Sequence, residues 1–260
     1  MERPSEVTDY HGRLVSCSLE AEHCRAYWQH VAQVTTELNP EIAFAEYWFG
    51  ARSLPRVQVL LANFRERFNR FPMTVPILHQ WKSMDSLTRQ LICHWHLQFT
   101  DRLYREFTGC FLPERAAKGR TDVTRDLVVR WIEQLAPDRW TTSTKIQYAR
   151  KLLFSAVEAG LLKGGRDPRS LQMPRASDTA LGYLLYLLRT VDFQGSMASN
   201  PYLTSVGLTG TELERRLRVL PACGFRRQGD LFEFTWRYET LAEWAQATIL
   251  SAENQLRETA

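Results

Sequence analysis

The sequence predicts a mainly α protein. It reads as a helical N-terminal bundle over 1–112, a basic helix-turn-helix unit over 113–176, and a second, winged-helix-like helix-turn-helix unit over 177–260 with a small β-hairpin near the C-terminus. Three observations predict this. Apolar residues recur at helical spacing through the first 112 residues, with no alternating strands and no repeat period. The stretch from Thr121 to Leu162 has the pattern of two helices joined by a short polar turn. From Pro113 to Ala176, Lys and Arg outnumber Asp and Glu by 13 to 7, against 12 to 12 before it and 8 to 10 after it, so the net charge of +4 comes from one segment.

Length and composition set the outer limits. A chain of 260 residues with 44% hydrophobic and 24% charged residues is an ordinary globular sequence able to bury a core. Its pI near 8.9 is mildly basic, so the placement of charge says more than its sum. The longest apolar stretch, Ala180 to Leu188, contains Gly182 and is closed by Arg189. It falls well short of the roughly 20 residues of a membrane span and is expected to be a core helix. The opening MERPSEVTDYHGR has no apolar run behind its charges, so a cytoplasmic, non-membrane protein is expected. Five cysteines without a CxxC pair fit free, buried thiols. Cys93, His94 and His96 cluster in sequence, but structural zinc takes four ligands and no second cluster lies nearby, so neither a metal nor another cofactor is expected.

The elements follow in order. Leu19, Cys24, Tyr27, Trp28, Val31 and Val34 predict a helix over 18–38, stopped by Asn39-Pro40. Pro55 opens a helix with Val57, Leu60, Leu61, Phe64 and Phe68 on one stripe. After turns at Pro72 and Pro76, Leu87, Leu91, Trp95, Phe99 and Leu103 mark the core face of a helix over 86–107, ended by Gly109 and Pro113. The segment 114–120 reads as a linker. In the basic unit, Val123, Leu127, Val128, Trp131, Ile132 and Leu135 form the first stripe, Ala136-Pro137-Asp138 stops it, and Thr141 or Thr142 caps the next helix. That helix buries Ile146, Ala149, Leu152, Leu153, Ala156 and Val157. Thr144, Gln147, Tyr148, Lys151 and Ser155 then face outward, with Lys145 and Arg150 at the flanks. A basic loop with Lys163, Arg166 and Arg169 follows where a wing would lie.

In the last segment, Thr209 and Glu212 have capping-box spacing before a helix with Leu213, Leu217 and Leu220 buried. Phe232, Phe234 and Trp236 alternate after a bend at Gln228-Gly229-Asp230, as in a β-hairpin, and a helix over 241–256 closes the chain.

These residues suit nucleic acid. Gln pairs with adenine edges, while Lys, Arg and hydroxyls hold phosphate oxygens. The candidate contacts are Thr144, Lys145, Gln147, Tyr148, Lys151, Lys163 and Arg166 in the first unit, and Arg215, Arg216, Arg218, Arg226 and Arg227 in the second. In the second unit Glu212 and Glu214 dilute the charge, so a merely solvated helix face explains it as well as binding does. No GxSxG, GxxxxGK[ST], HExxH or GxGxxG is present, and no catalytic role is expected.

At EYWFGARSLPRVQVLLANFRERFNRFP, Glu46 to Pro72, and at LICHWHLQFTDRLYREFTG, Leu91 to Gly109, the chain resembles the BrxA family, a core component of bacteriophage-exclusion (BREX) defence systems. The similarity extends through WTTSTKIQYARKLLFSAVEAGLL and over nearly the whole length. The resemblance implies a monomeric, largely helical protein that binds double-stranded DNA through two helix-turn-helix units and acts beside the BREX methyltransferase and ATPase. Carried onto this sequence, it implies binding by Lys145, Gln147, Tyr148 and Lys151, and by Arg215, Arg216 and Arg218. Two alternatives stay open: an adaptor that holds other BREX proteins through aromatic residues such as Tyr47, Trp48 and Phe49, and an RNA-binding protein.

Overall fold

Helices form where the apolar spacing places them, and short polar side chains fix their starts. The computed structural model describes residues 3–31, 38–50, 52–229 and 231–251. The N-terminal part comprises α1 (Arg13–Ser16), α2 (Ala21–Val31), α3 (Pro40–Ala45), α4 (Leu54–Phe64), a π-helical turn (Arg65–Asn69), α5 (Thr74–Gln80), α6 (Ser86–Thr100), α7 (Arg102–Glu106), a second π-helical turn (Phe107–Phe111) and α8 (Leu112–Ala117). Asn39, Asp85 and Asp101 accept backbone N–H bonds at the starts of α3, α6 and α7. The helix expected over 18–38 begins at Ala21; Val34 lies outside the described residues.

The single helix expected over 86–107 is divided at Asp101, whose extended backbone ends α6 while its carboxylate accepts the Tyr104 N–H at 2.9 Å to start α7. Gly109 and Pro113 do not end the helical path. It runs on through the second π-helical turn into α8, whose second residue is Pro113. Half of the expected linker is therefore helix.

The basic segment comprises β1 (Asp122–Val123), α9 (Arg125–Leu135), α10 (Thr142–Glu158), β2 (Leu162–Lys163) and β3 (Arg169–Leu171). The three strands form an antiparallel sheet in the order β1-β3-β2, with Asp122 opposite Ser170 and Leu162 opposite Leu171. The last segment holds α11 (Asp178–Leu188), α12 (Pro201–Thr204), α13 (Gly210–Val219), the hairpin β4 (Cys223–Gln228) and β5 (Leu231–Trp236), α14 (Leu241–Ala245) and a π-helical turn (Gln246–Leu250). The hairpin forms as its alternation predicts. Asp230 and the part of the closing helix beyond Ser251 lie outside the described residues.

The parts share one contiguous apolar core. Its centre is α6, buried at every residue from Leu91 to Thr100, against α11, buried from Ala180 to Leu188. The stretch Ala180 to Leu188 is thus a core helix. Among the described residues, no helix is long and apolar enough to cross a membrane.

The polar residues of α6 are accounted for inside this core. His94 bonds Tyr104 Oη and Ser205 Oγ, both at 2.9 Å, and His96 bonds Tyr183 Oη at 2.8 Å. These bonds occupy both nitrogens of His94 and one of His96. Among the described residues, no three His, Cys, Asp or Glu side chains gather as metal ligands. Burial pushes both imidazoles down to about 3. A buried neutral His binds fewer protons than the unfolded chain does, so its contribution is complete above pH ~6.5 and lost as pH falls toward 3. We expect stability to fall below pH 6.5 with a limiting slope of about 2.7 kcal/mol per pH unit from the two groups. Denaturant melts at stepped pH check this: His96→Gln should remove about half of that slope.

Candidate nucleic-acid interface

The basic segment has the strand and helix order of a winged helix. Thr124 caps α9 by accepting the Leu127 N–H, and Thr141 caps α10 by accepting the Thr144 N–H, both at 3.3 Å. Leu135 is the last residue of α9, and the turn that follows holds Asp138 at φ +59°. The helices pack on each other. Beyond α10 the chain enters β2, turns through residues 164–168, all exposed, and returns as β3. Gly164, at φ +112°, opens that turn with a backbone that favours glycine. The Asp167 carboxylate accepts the Arg125 N–H at 2.8 Å and pairs with Arg169, tying the wing to the start of α9.

The structure places the outward face of α10 differently from the spacing argument. Lys145 is 6% exposed and its ammonium pairs with Glu133 of α9 inside the two-helix contact. Tyr148 is buried, donating its hydroxyl to the His11 carbonyl at 3.1 Å. Ser155 is buried and accepts the Leu19 N–H. Glu158 accepts the N–H groups of Glu20 and Ala21 at 3.0 and 2.6 Å. Lys145 and Tyr148 are therefore corrected to structural positions. The physical reason is that α10 has two neighbours, α9 and the N-terminal segment around α1, whereas a single amphipathic stripe accounts for only one. The exposed stripe is Ser143, Gln147, Arg150 and Phe154, with Thr144 and Lys151 half-buried beside it. Phe154, 57% exposed, shares the face of Gln147 and Lys151 by its spacing, but a large aromatic side chain by its type suggests a core position.

Lys145 gives a sharp stability test. Lys145→Glu would set a second carboxylate, at a buried position, beside the half-exposed Glu133, so we expect about 2 kcal/mol of destabilisation. A thermal melt shows it directly: an unchanged midpoint would remove Lys145 from the interior of the unit.

The charge of this segment is left largely uncompensated. Asp126, Glu133 and Asp167 pair with Arg125, Lys145 and Arg169, and Glu158 is spent on backbone N–H groups. Lys118, Arg120, Arg130, Arg150, Lys163, Arg166 and Arg175 are exposed and have no ion-pair partner among the described residues. Lys163 and Arg166 stand on the wing, as expected.

The second unit also follows helix then hairpin, but its cations are mostly engaged. Arg216 is buried, donating to the Ala176 carbonyl at 2.9 Å and to Asp178 at 2.8 Å; it is corrected to a clamp on the start of α11. Arg215 pairs with Glu212 at 2.7 Å, Arg218 approaches Glu214 at 3.8 Å, and Arg227 pairs with Glu214. Arg226 is exposed. The expected capping box does not form: Thr209 takes the N-cap backbone position without a side-chain bond, and Glu212 turns to Arg215. The strongest uncompensated field therefore belongs to the first unit.

The fold and this basic winged unit define a mainly helical protein with two winged helix-turn-helix elements on a shared core. No protein-family model matches the chain, and no curated protein matches it. Among solved structures it is similar to the crystal structure of an uncharacterized protein from Magnetospirillum magneticum, with a TM-score of 0.55 and 17% sequence identity, over 70% of this chain and 97% of that one. That likeness is one of fold.

Proposed function

We propose that this chain is a non-catalytic duplex-DNA-binding protein, with α10 entering the major groove and the 164–168 wing lying along the backbone. The observation that carries this reading is one capped helix bearing Ser143, Gln147 and Arg150 outward, followed directly by an exposed wing with Lys163 and Arg166, in a segment with unpaired positive charge. Gln147 suits an adenine edge, Arg150 a guanine edge or a phosphate, and Phe154 the methyl of thymine. The residues 147, 150, 151 and 154 span two helical turns, about 10 Å, or roughly three base steps. The resemblance to BrxA supports placing the protein in the cytoplasm, in a bacteriophage-exclusion system beside its methyltransferase and ATPase, as a monomer when alone.

Competition at matched salt tests the ligand class. A duplex DNA chosen by selection should displace labelled duplex at least about tenfold better than structured RNA of equal length. Preferential displacement by the RNA would assign the surface to RNA. With the selected site in hand, replacing thymine by deoxyuridine should weaken binding about threefold to tenfold in the wild type and leave Phe154→Ala unaffected.

One observation favours a second role as an adaptor. Ile42, Phe44 and Tyr47 are exposed together on and just after α3, Tyr47 at 67%, whereas Trp48 and Phe49 are buried. If partner proteins co-purified after nuclease treatment while the pure chain ignored DNA, the adaptor role would replace DNA binding.

A further inference from the structure

A groove of about 860 Å³ opens where the N-terminal segment, the chain between the first π-helical turn and α5, and the C-terminus of α11 meet. Arg3, Arg70 and Arg189 line it, Pro4, Pro72 and Met73 form its apolar wall, and among the described residues no carboxylate lines it. The three arginines come from distant parts of the chain, and backbone atoms hold each of them. Arg3 donates to the Arg189 carbonyl, Arg70 to the Ser5 carbonyl at 3.5 Å, and Arg189 to the Tyr238 carbonyl at 3.0 Å. The Arg189 guanidinium also lies 4.4 Å from the Trp236 ring centroid. The N-terminal segment is itself fixed, since Glu6 N–H donates to the Asp192 carbonyl at 3.0 Å and Asp192 N–H to the Pro4 carbonyl at 2.8 Å.

Among the described residues, two carboxylates touch this set from outside the lining. Asp192 lies 3.5 Å from Arg3, and Glu66 lies 3.9 Å from Arg70 but 2.7 Å from Arg13. A guanidinium has five N–H donors, so each arginine keeps donors beyond its anchoring bonds. Planar forks of this kind match phosphate oxygens two at a time. Three of them around one groove suit a ligand with several anionic oxygens, and the Pro72–Met73 wall suits the flat face of a base or a ribose. The volume falls within the range of single small-ligand sites, about 300–1,000 Å³, which suits a discrete molecule better than a continuous strand.

The geometry points to a binding site for a nucleoside polyphosphate in this groove, its phosphates between Arg3, Arg70 and Arg189 and its base or sugar against Pro72 and Met73. This site is separate from α10 and its wing and does not depend on duplex binding. Calorimetric titration of the full chain with ATP tests it. We expect saturable binding of one ATP per chain, weakened at least about tenfold by Arg70→Gln and at least about a hundredfold by Arg3→Gln with Arg70→Gln. Arg150→Glu, on α10, should bind ATP as the wild type does. Met73→Asp, which sets a carboxylate in the groove, should also abolish binding and stands in if an arginine variant fails to fold. Inorganic triphosphate should bind more weakly than ATP, and an unphosphorylated single-stranded oligonucleotide should not displace it. No saturable heat with ATP up to about 1 mM would overturn the assignment. Equal affinity for inorganic triphosphate would overturn the nucleoside part, and displacement by the oligonucleotide would reassign the groove to a phosphodiester strand.

Discussion

Reversing Arg150, Lys163 and Arg166 to glutamate should weaken duplex binding by roughly a thousandfold at about 0.1 M salt, with the thermal midpoint unchanged. Each of these side chains is exposed and has no ion-pair partner among the described residues, so its removal breaks no internal contact. Each reversal also changes the local charge by two, replacing an attraction to phosphate with a repulsion. The expected loss is about tenfold per position, multiplied over three positions that act mainly through the phosphate backbone. Fluorescence anisotropy with labelled random duplex reads the affinity, and circular dichroism confirms the fold. The same reversal at Arg215 and Arg218 should have a smaller effect, because those guanidinia already sit beside Glu212 and Glu214. If the triple variant bound as the wild type does, α10 and its wing would have no part in DNA contact.

The largest effect on stability is expected at Gly109. It lies in the second π-helical turn, which packs against α12. A Cβ built there would come within 2.9 Å of both the Cα and the carbonyl oxygen of Pro201. Those are backbone atoms at the start of α12, and the rigid proline ring cannot swing aside. Gly109→Ala should therefore push apart the bundle and the second unit, with a loss of about 3 kcal/mol and a fall in midpoint of roughly 10 °C. Gly165→Ala is the control, since a Cβ at that wing position meets nothing within 4 Å. Differential scanning calorimetry separates the two, and equal midpoints would show that the Pro201 contact yields without strain.

Much of this architecture was legible because apolar spacing and local capping agree with the final packing. The stripe from Leu127 to Leu135, the stop at Ala136, the cap at Thr141 and the bend before Leu231 are local features, and each stands where its residues predict, whereas Val123, expected on that stripe, lies in β1. The two-residue strand β1 and the three-residue strand β3 were not legible, since strands that short carry no period to read. The continuation into α8 was hidden by Gly109 and Pro113, residues that usually mark an ending. Here the glycine makes room for Pro201, and the proline follows a π-helical turn without breaking the path.

The candidate interface was legible in part. Gln147, Lys163, Arg166 and Arg226 stand exposed as expected, and Thr144 and Lys151 lie half-buried at the edge. Lys145, Tyr148 and Arg216 instead meet Glu133, the His11 carbonyl and Asp178, partners that are distant in sequence or across a helix contact. A helical-wheel argument sees one buried arc and cannot see a second neighbour. Long side chains such as Lys145 and Arg216 also fit either interior or surface until a specific carboxylate is placed beside them.

On the function proposed above, the exposed, uncompensated positive surface around α10 holds DNA by its phosphates. A salt titration of affinity for random duplex DNA measures this most directly. We expect a straight line of log affinity against log salt with a slope of about −4 to −6, and a slope shallower by about 3 for the Arg150, Lys163 and Arg166 reversal. A slope near zero, or equal slopes for the two proteins, would contradict it.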